Sequence, residues 1–362
     1  MKKYKLKGNA IAIDEKIWIG IDAHKKSLHV TAMNHEEVLC QRSIPSKKKH
    51  VRGFINEFRD CEIVAVYESG PTGYSLKHWL EELGCEAFIT PVSKVPEIKG
   101  GKQIKTDRRD SQELAKLARA EMLEEVHDLG KKRYRQRELT RTRKQFVNKR
   151  TQVCNQIKSK LLFHGIEPPE DLKGNWSKAY LAWLESEPSG DFCLDLALKE
   201  LTDEYRRLTK KIRRFKKEIK RLSKTQEFKK DANLLTSVPG VGVLTAMTFL
   251  LELGDVSRFD RCEEFASFLG LIPGEWSSGE RQKETQIRWG NKRVRSALVE
   301  SSWMLKARDP RMEKTYNRIR SNTNDSGKAI VAVARRLGLA LRAMLREGEE
   351  YDYPGPAREP DS

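Results

Sequence analysis

Four carboxylates stand where metal-dependent phosphoryl-transfer chemistry would need them. Asp22 closes the apolar run Ile17 to Ile21, and Glu68 closes a second run, Ile63 to Tyr67. Both runs read as buried strands, so each strand delivers an acid at its end. Asp107 and Asp110, in Lys-Thr-Asp-Arg-Arg-Asp, lie three residues apart where a helical pattern begins, and one helix face can carry both. Two divalent cations about 3.5–4 Å apart must share oxygen ligands, and hard Mg²⁺ is held by a few carboxylates with water and substrate phosphate. Taken singly, each acid has a plain alternative. Asp22 could be a turn residue after a strand, the kind of acid Asp14 or Glu113 would be, and Asp107 and Asp110 could simply favour a helix N-terminus through its dipole. Taken in concert, the four favour a site for two Mg²⁺ ions, with Mn²⁺ as the alternative metal. His24 and His29 flank the first strand; because Mg²⁺ prefers oxygen, they are expected at the surface or in support of the acids.

The substrate class follows from charge. Lys and Arg number 70 against 52 Asp and Glu, a formal net charge of +18, so the long-range field favours polyanions. The longest apolar stretch, Val238 to Leu251, contains Pro239 and two glycines and is too short to span a bilayer. The opening Met-Lys-Lys-Tyr-Lys-Leu-Lys lacks the apolar core of a signal peptide. A cytoplasmic location with no membrane partner is expected. The six cysteines are scattered with no metal-ligand spacing, which favours reduced thiols.

The elements that must position the acids occupy residues 1–128. Strands are predicted at Trp18–Ile21, Leu28–Met33, Val38–Ile44, Ile63–Tyr67 and Ala87–Pro91, with helices near Lys47–Phe58, Tyr74–Leu83 and Ser111–Ala120. Three strands joined by short polar turns, followed by alternating helices and strands, is the order of a ribonuclease-H-like α/β fold. Composition changes at residue 129, and 129–230 reads as a basic coiled-coil segment. From Lys131 nothing stops a helix before Gly165, and Leu139, Phe146, Val153, Ile157 and Leu161 make its apolar stripe. A second helix carries Leu194, Leu198, Leu201, Tyr205, Leu208, Ile212, Phe215, Ile219 and Leu222 as an a/d seam. Residues 165–190 between them read as a connector. Basic residues on the two helices, among them Arg141, Arg143, Lys144, Arg214 and Lys217, suit phosphate contacts summed over many weak partners.

Residues 231–350 read as a third, all-α domain, and 351–362 as a disordered tail. It opens with Ser-Val-Pro-Gly-Val-Gly between two apolar helices, which resembles a helix-hairpin-helix. In such a turn Gly240 and Gly242 would let backbone N–H groups approach a phosphate; an ordinary tight helix-helix turn has nearly equal claim. A Gly-bounded loop follows, with Ser277 and Ser278 among Arg281, Lys283, Arg288, Lys292 and Arg293.

These motifs, in this order, resemble the transposases of the insertion-sequence one-ten family, the DEDD transposases, a group that includes pilin-gene inversion recombinases. The likeness covers nearly the whole chain. It is carried by Gly20-Ile21-Asp22-Ala23-His24-Lys25, Glu68-Ser69-Gly70-Pro71-Thr72-Gly73 and Lys105-Thr106-Asp107-Arg108-Arg109-Asp110. Further on it is carried by Gly270-Leu271-Ile272-Pro273, Ser277-Ser278-Gly279 and Gly290-Asn291-Lys292-Arg293. The resemblance implies an RuvC-like domain with Asp22, Glu68, Asp107 and Asp110 as catalytic metal ligands, and Ser278 as nucleophile with Ser277 in reserve. It also implies double-stranded donor and target DNA, a noncoding guide RNA, and a homo-oligomer, dimer or tetramer, with the coiled coil as a subunit contact; an intramolecular hairpin of the two basic helices would fill the same seam. One departure is Gln286-Ile287-Arg288-Trp289, where relatives often have a hydroxyl residue before a lysine; Arg288 keeps the charge and the hydroxyl is missing.

The expected reaction is cutting and rejoining of DNA through a phosphoserine link. A serine is a weak nucleophile at neutral pH and needs activation, here by the metal site. Two alternatives remain at this point. A junction-resolving nuclease would use the carboxylates with water as nucleophile and ignore Ser278. A noncatalytic nucleic-acid-binding protein would keep the basic helices and tolerate loss of the acids.

Overall fold

The structure is a computed structural model that describes residues 15–70, 72–92, 95, 106–170, 172, 176–186, 188–272, 274–278, 281–285 and 290–352, the backbone alone for 274–278 and 281–285. The chain divides into two compact units, Met1–Asp128 and Leu129–Ser362.

In the first unit, β1 (Lys16–Ala23), β2 (Ser27–Met33) and β3 (Val38–Pro45) form an antiparallel meander. After α1 (Lys48–Ile55) and a 3₁₀ turn at Asn56–Phe58 come β4 (Glu62–Glu68), α2 (Ser75–Glu81), β5 (Glu86–Thr90) and α3 (Asp107–Arg119). β4 pairs parallel with β1, and β5 with β4, which gives the order β3-β2-β1-β4-β5. Alternation sorts the side chains onto two faces. Ile17, Ile19 and Ile21 of β1 pack with Val51, Phe54 and Ile55 of α1 and Leu76 and Leu80 of α2. On the opposite face Trp18, Val64 and Val66 pack with Leu114, Ala115 and Ala118 of α3. Burial on both faces explains why β1 and β4 are nearly continuous apolar runs. All five predicted strands are present; four run one or two residues longer at one or both ends, and the fifth is shifted by one residue, to Glu86–Thr90.

The second unit begins with α4 (Gly130–Phe163), α5 (Lys178–Glu185) and α6 (Phe192–Leu222). Phe146 meets Phe215 and Arg150 lies over Tyr205, so the two long helices run antiparallel. Leu198, Tyr205, Leu208, Ile212 and Ile219 are buried in this single chain, with Val153, Ile157 and Leu161 of α4 in the same hairpin. The seam expected to serve as a subunit contact is thus occupied by α4 of the same chain. α5 lies in the stretch read as a connector; its Ser177 cap accepts from Tyr180 N–H, and Tyr180 and Leu184 are buried at the hairpin tip.

Among the described residues six more helices follow: α7 (Lys229–Thr236), α8 (Val243–Leu253), α9 (Cys262–Leu269), α10 (Lys292–Arg308), α11 (Pro310–Thr323) and α12 (Ser326–Glu347). Met247 and Leu251 of α8, Leu298 and Leu305 of α10, and Val333, Leu337 and Leu341 of α12 share one core with Ile219 and Phe228. The base of the basic hairpin therefore belongs to the same packed body as the C-terminal helices. The serine-bearing stretch, read as a loop, is a two-stranded antiparallel sheet of β6 (Gly274–Ser278) and β7 (Arg281–Thr285). Its residues are mostly polar on both strands, so no apolar alternation announced it. Residues 353–362, expected to be a disordered tail, lie outside the described residues. No described helix is long and apolar enough to cross a membrane, and the six thiols are unpaired with one another.

Candidate active site

Three elements bring the acids together. Ile21 pairs with Tyr67 across β1 and β4, so Asp22 and Glu68 follow side by side at the strand ends. Both continue the face that Trp18, Val64 and Val66 turn toward α3. α3 can lie flush on that face because residue 20 is glycine. A Cβ there would sit 2.0 Å from the Ser111 carbonyl oxygen and 2.4 Å from the Ala115 nitrogen. Close approach of the backbones sets the first turn of α3, with Asp107 and Asp110, beside Asp22.

A polar clasp fixes that helix. The Thr31 and Ser111 hydroxyls lie 2.8 Å apart in a buried contact, and Gln41 Nε2 donates to the Arg108 carbonyl at 2.6 Å. Thr106 caps the helix by accepting from Arg109 N–H. At the far end the Arg119 guanidinium donates to the Asn34 and His35 carbonyls at 3.2 and 2.8 Å. The scaffold thereby holds its acids before any ligand arrives, as a precise site requires.

Asp22 Oδ2 and Asp107 Oδ2 each meet His24 Nε2, at 3.2 and 3.3 Å, and His29 Nε2 reaches Asp107 Oδ2 at 3.2 Å. One ligand atom from each of Asp22, His24 and Asp107 lies within 4.8 Å of the others, the spacing of a metal-ligand set. Glu68 and Asp110 are outside that tightest set. Burial pushes the Asp22 carboxyl above its ordinary pKa; the Asp107 and Asp110 charges add to the rise, and His24 and His29 partly oppose it. A carboxylate raised by burial and like charges is one that a cation would restore to its ionised form.

The two histidines were expected at the surface or in support of the acids, and the structure puts them in contact with Asp22 and Asp107. Register gave the signal. His24 lies two residues after Asp22, just past the end of β1, and His29 on β2 is the direct cross-strand partner of Asp22.

In the second unit, Ser278 ends β6 opposite Arg281, and Lys283 of β7 pairs with Trp276. The hairpin springs from a pinch between Gly270 and Gly290: a Cβ at Gly290 would lie 2.4 Å from the Gly270 Cα. Next to it, Asn291 caps α10 and donates to Glu252, whose side chain is fully buried and gripped by Arg141 at 2.7 and 2.8 Å.

Comparison with known proteins decides the family. Residues 19–165 match a DEDD transposase domain of the insertion sequence IS110 type, and residues 232–317 match the family described as "Transposase IS116/IS110/IS902 family". The chain is 30% identical over 308 residues to y4qE of Sinorhizobium fredii, a protein designated a transposase, spanning 82% of this chain and 73% of that one. It is 25% identical over 352 residues to the transposase for insertion sequence element IS1533 of Leptospira borgpetersenii, covering 91% and 96%. It is also 30% identical over 131 residues to the pilin gene-inverting protein of Moraxella bovis, covering 35% and 41%.

The chain belongs to the IS116/IS110/IS902 family of transposases.

The transposase's DEDD-type domain implies a divalent metal, and the donors gathered around Asp22 fit one. Of the basic residues singled out in its sequence, Arg141, Arg143, Lys144, Lys292 and Arg293 converge on one cleft between α4, α8 and α10. Arg214 and Lys217 stand on the exposed outer face of α6. Arg281 and Lys283 lie on β7, while Arg288 and the departing stretch Gln286 to Trp289 lie outside the described residues. The Pro-Gly-Val-Gly turn divides its glycines. Gly240, at φ +88°, is pressed against α10, where a Cβ would meet the Ser301 carbonyl at 2.6 Å, so packing demands glycine there. Gly242 begins α8 and has open space around it.

Proposed function

We propose that this transposase cuts and rejoins DNA through a covalent phosphoserine intermediate, with Asp22, Glu68, Asp107 and Asp110 of an RuvC-like domain holding Mg²⁺ and Ser278 as nucleophile. The observation that carries the metal half is the pairing of Asp22 with Asp107 at the junction of β1 and α3, where burial and neighbouring acids raise the Asp22 pKa. When bound, the cation would polarise the scissile phosphate and lower the cost of charge on the reacting oxygens. His24 and His29 hold Asp22 and Asp107 in place through their imidazole nitrogens.

Ser278 Oγ would attack phosphorus, forming an O–P bond as the bond to the neighbouring nucleotide's oxygen breaks; that oxygen leaves as a hydroxyl, and the serine proton passes to solvent or a nearby base. Rejoining reverses the exchange. The hydroxyl of a second strand attacks the phosphoserine, and the serine oxygen departs. Because one phosphodiester replaces another, no ATP is required. Support for Ser278 comes from its family motif and its place at the end of β6, in register with Arg281 of β7. The family likeness further supports double-stranded donor and target DNA, a noncoding guide RNA and a homo-oligomer as working partners. With the α6 seam buried against α4, the subunit contact would use other surfaces.

The test is recombination between two copies of the element end on a plasmid. Asp22→Asn, Glu68→Gln, Asp107→Asn, Asp110→Asn and Ser278→Ala should each abolish joined product. Joined product from Ser278→Ala with loss in the acid variants would rule out the serine intermediate; cut plasmid without joined product would turn the mechanism toward hydrolysis by water.

A further inference from the structure

We infer that the cleft between α4, α8 and α10 binds a phosphodiester backbone and holds it beside the base of the hairpin that carries Ser278. This rests on the strand-transfer function proposed above and assigns its second unit a substrate-holding site. The cleft encloses about 610 Å³. Arg143 and Lys144 enter from α4, Lys292 and Arg293 from the first turn of α10, and Glu300 is the one acid among the lining residues. Arg141, deeper in, is already matched by Glu252. Lys144, Lys292 and Arg293 make no ion pair among the described residues, so their charge is available to a ligand.

Three further observations point to phosphate. The Arg143 Nε is buried and has no hydrogen-bond partner among the described residues, a donor that a phosphate oxygen would satisfy. α8 is preceded by Gly242 at its N-cap, which has no side chain to cap the first-turn N–H groups; Leu244 and Thr245 of that turn line the cleft. The lining also contains no aromatic residue on which a base would stack, which favours the backbone over a mononucleotide. The place of the cleft follows from connectivity. Lys292 and Arg293 directly follow Gly290 and Asn291, the point where the serine-bearing segment returns to the core. A strand gripped there enters the unit at the root of that segment.

The test is fluorescence anisotropy with three labelled probes of roughly 20 nucleotides or base pairs, a DNA duplex, a single DNA strand and a single RNA strand, across a salt series. The triple variant Lys144→Ala, Lys292→Ala, Arg293→Ala is compared with a control of equal charge change on exposed positions, Lys199→Ala, Lys224→Ala, Lys314→Ala. The cleft variant should bind about 10–50-fold more weakly and lower the slope of log K against log salt by roughly 2–3, since each lost phosphate contact removes about 0.7–0.9. The control should change the slope by less than one such contact. Loss confined to the DNA duplex, or to RNA, identifies which backbone occupies the cleft. Equal effects of the two triple variants on every probe would overturn the proposal. Ser278→Ala should bind as tightly as the wild type, so failure of the serine mechanism and failure of the cleft are separately visible.

Discussion

Gly20→Ala is the sharpest perturbation of the metal-site scaffold, because it adds one methyl group and touches no candidate ligand. The new Cβ would lie 2.0 Å from the Ser111 carbonyl oxygen and 2.4 Å from the Ala115 nitrogen. Both obstacles are backbone atoms, so no rotamer change relieves them. Heavy atoms in contact rest at about 3.5 Å, and α3 would have to retreat from β1 by roughly 1–1.5 Å. Overpacking of this kind typically costs about 1–3 kcal/mol, and a backbone clash belongs at the upper end. For a unit of this size that lowers the melting temperature by roughly 10 °C. The same retreat carries Asp107 and Asp110 away from Asp22, and a misplacement of about 1 Å can cost around a hundredfold in rate. Gly53 of α1 supplies the control, since a Cβ there meets nothing within 4 Å. As a helix-interior position, Gly53→Ala should stabilise by about 0.5–1 kcal/mol. Calorimetric melts, Mn²⁺ titration and strand-joining rates would be measured for both. If Gly20→Ala melts with the wild type and keeps its metal affinity, α3 does not lie on β1 as described and the account of how the acids are gathered is wrong.

Other expectations follow from buried charge and packing. Burial opposes ionisation of Glu252, yet hydrogen bonds from Arg141 and Asn291 and the charges of Arg141 and Arg137 hold its pKa below the ordinary value. A depressed acid stabilises the fold above its unfolded pKa and loses that contribution as pH falls through the folded one, so melts should show a loss in the acid range. Glu252→Gln should flatten that part of the profile and destabilise by about 3–5 kcal/mol at neutral pH, since Arg141 loses its buried partner. Leu208→Lys places an ammonium in the α4–α6 seam, where Leu208 is 1% exposed; circular dichroism should show a large drop in melting temperature, whereas a folded variant that merely halves in mass would return the seam to a subunit contact. His24→Ala removes an imidazole that lowers the Asp22 pKa, so Mn²⁺ binding followed by titration calorimetry should move to higher pH; an unchanged pH profile would deny His24 that influence.

The first unit was largely legible in sequence because both of its signals are local. Apolar runs closed by Asp22 and Glu68 marked two central strands, and register then placed their acids side by side. The geometry behind the two histidines and Gly20 needed a pairing between elements. His29 faces Asp22 only because β2 folds back in that register, and the Gly20 contact exists only once α3 lies across β1. In the second unit the heptad pattern of α6 was correct and its partner was left open, since an apolar seam reads the same whether a second copy or α4 fills it. The hairpin around Ser278 was read as a loop because polar residues occupy both strand faces. The cleft was visible only as separate cations on α4 and α10, whose meeting is set by the packing of α8 and α10.

The most direct measurement of the central claim is a denaturing-gel assay for a protein–DNA adduct. The transposase would be expressed with its native flanking DNA, so that any guide RNA copurifies, and incubated with labelled element-end DNA and Mg²⁺. The wild type should yield a covalent adduct that peptide mass mapping places on Ser278, and Ser278→Ala, Asp22→Ala and chelation of the metal should each remove it. Cut DNA with no attached protein, produced equally by Ser278→Ala, would contradict the account and make the enzyme a hydrolytic nuclease.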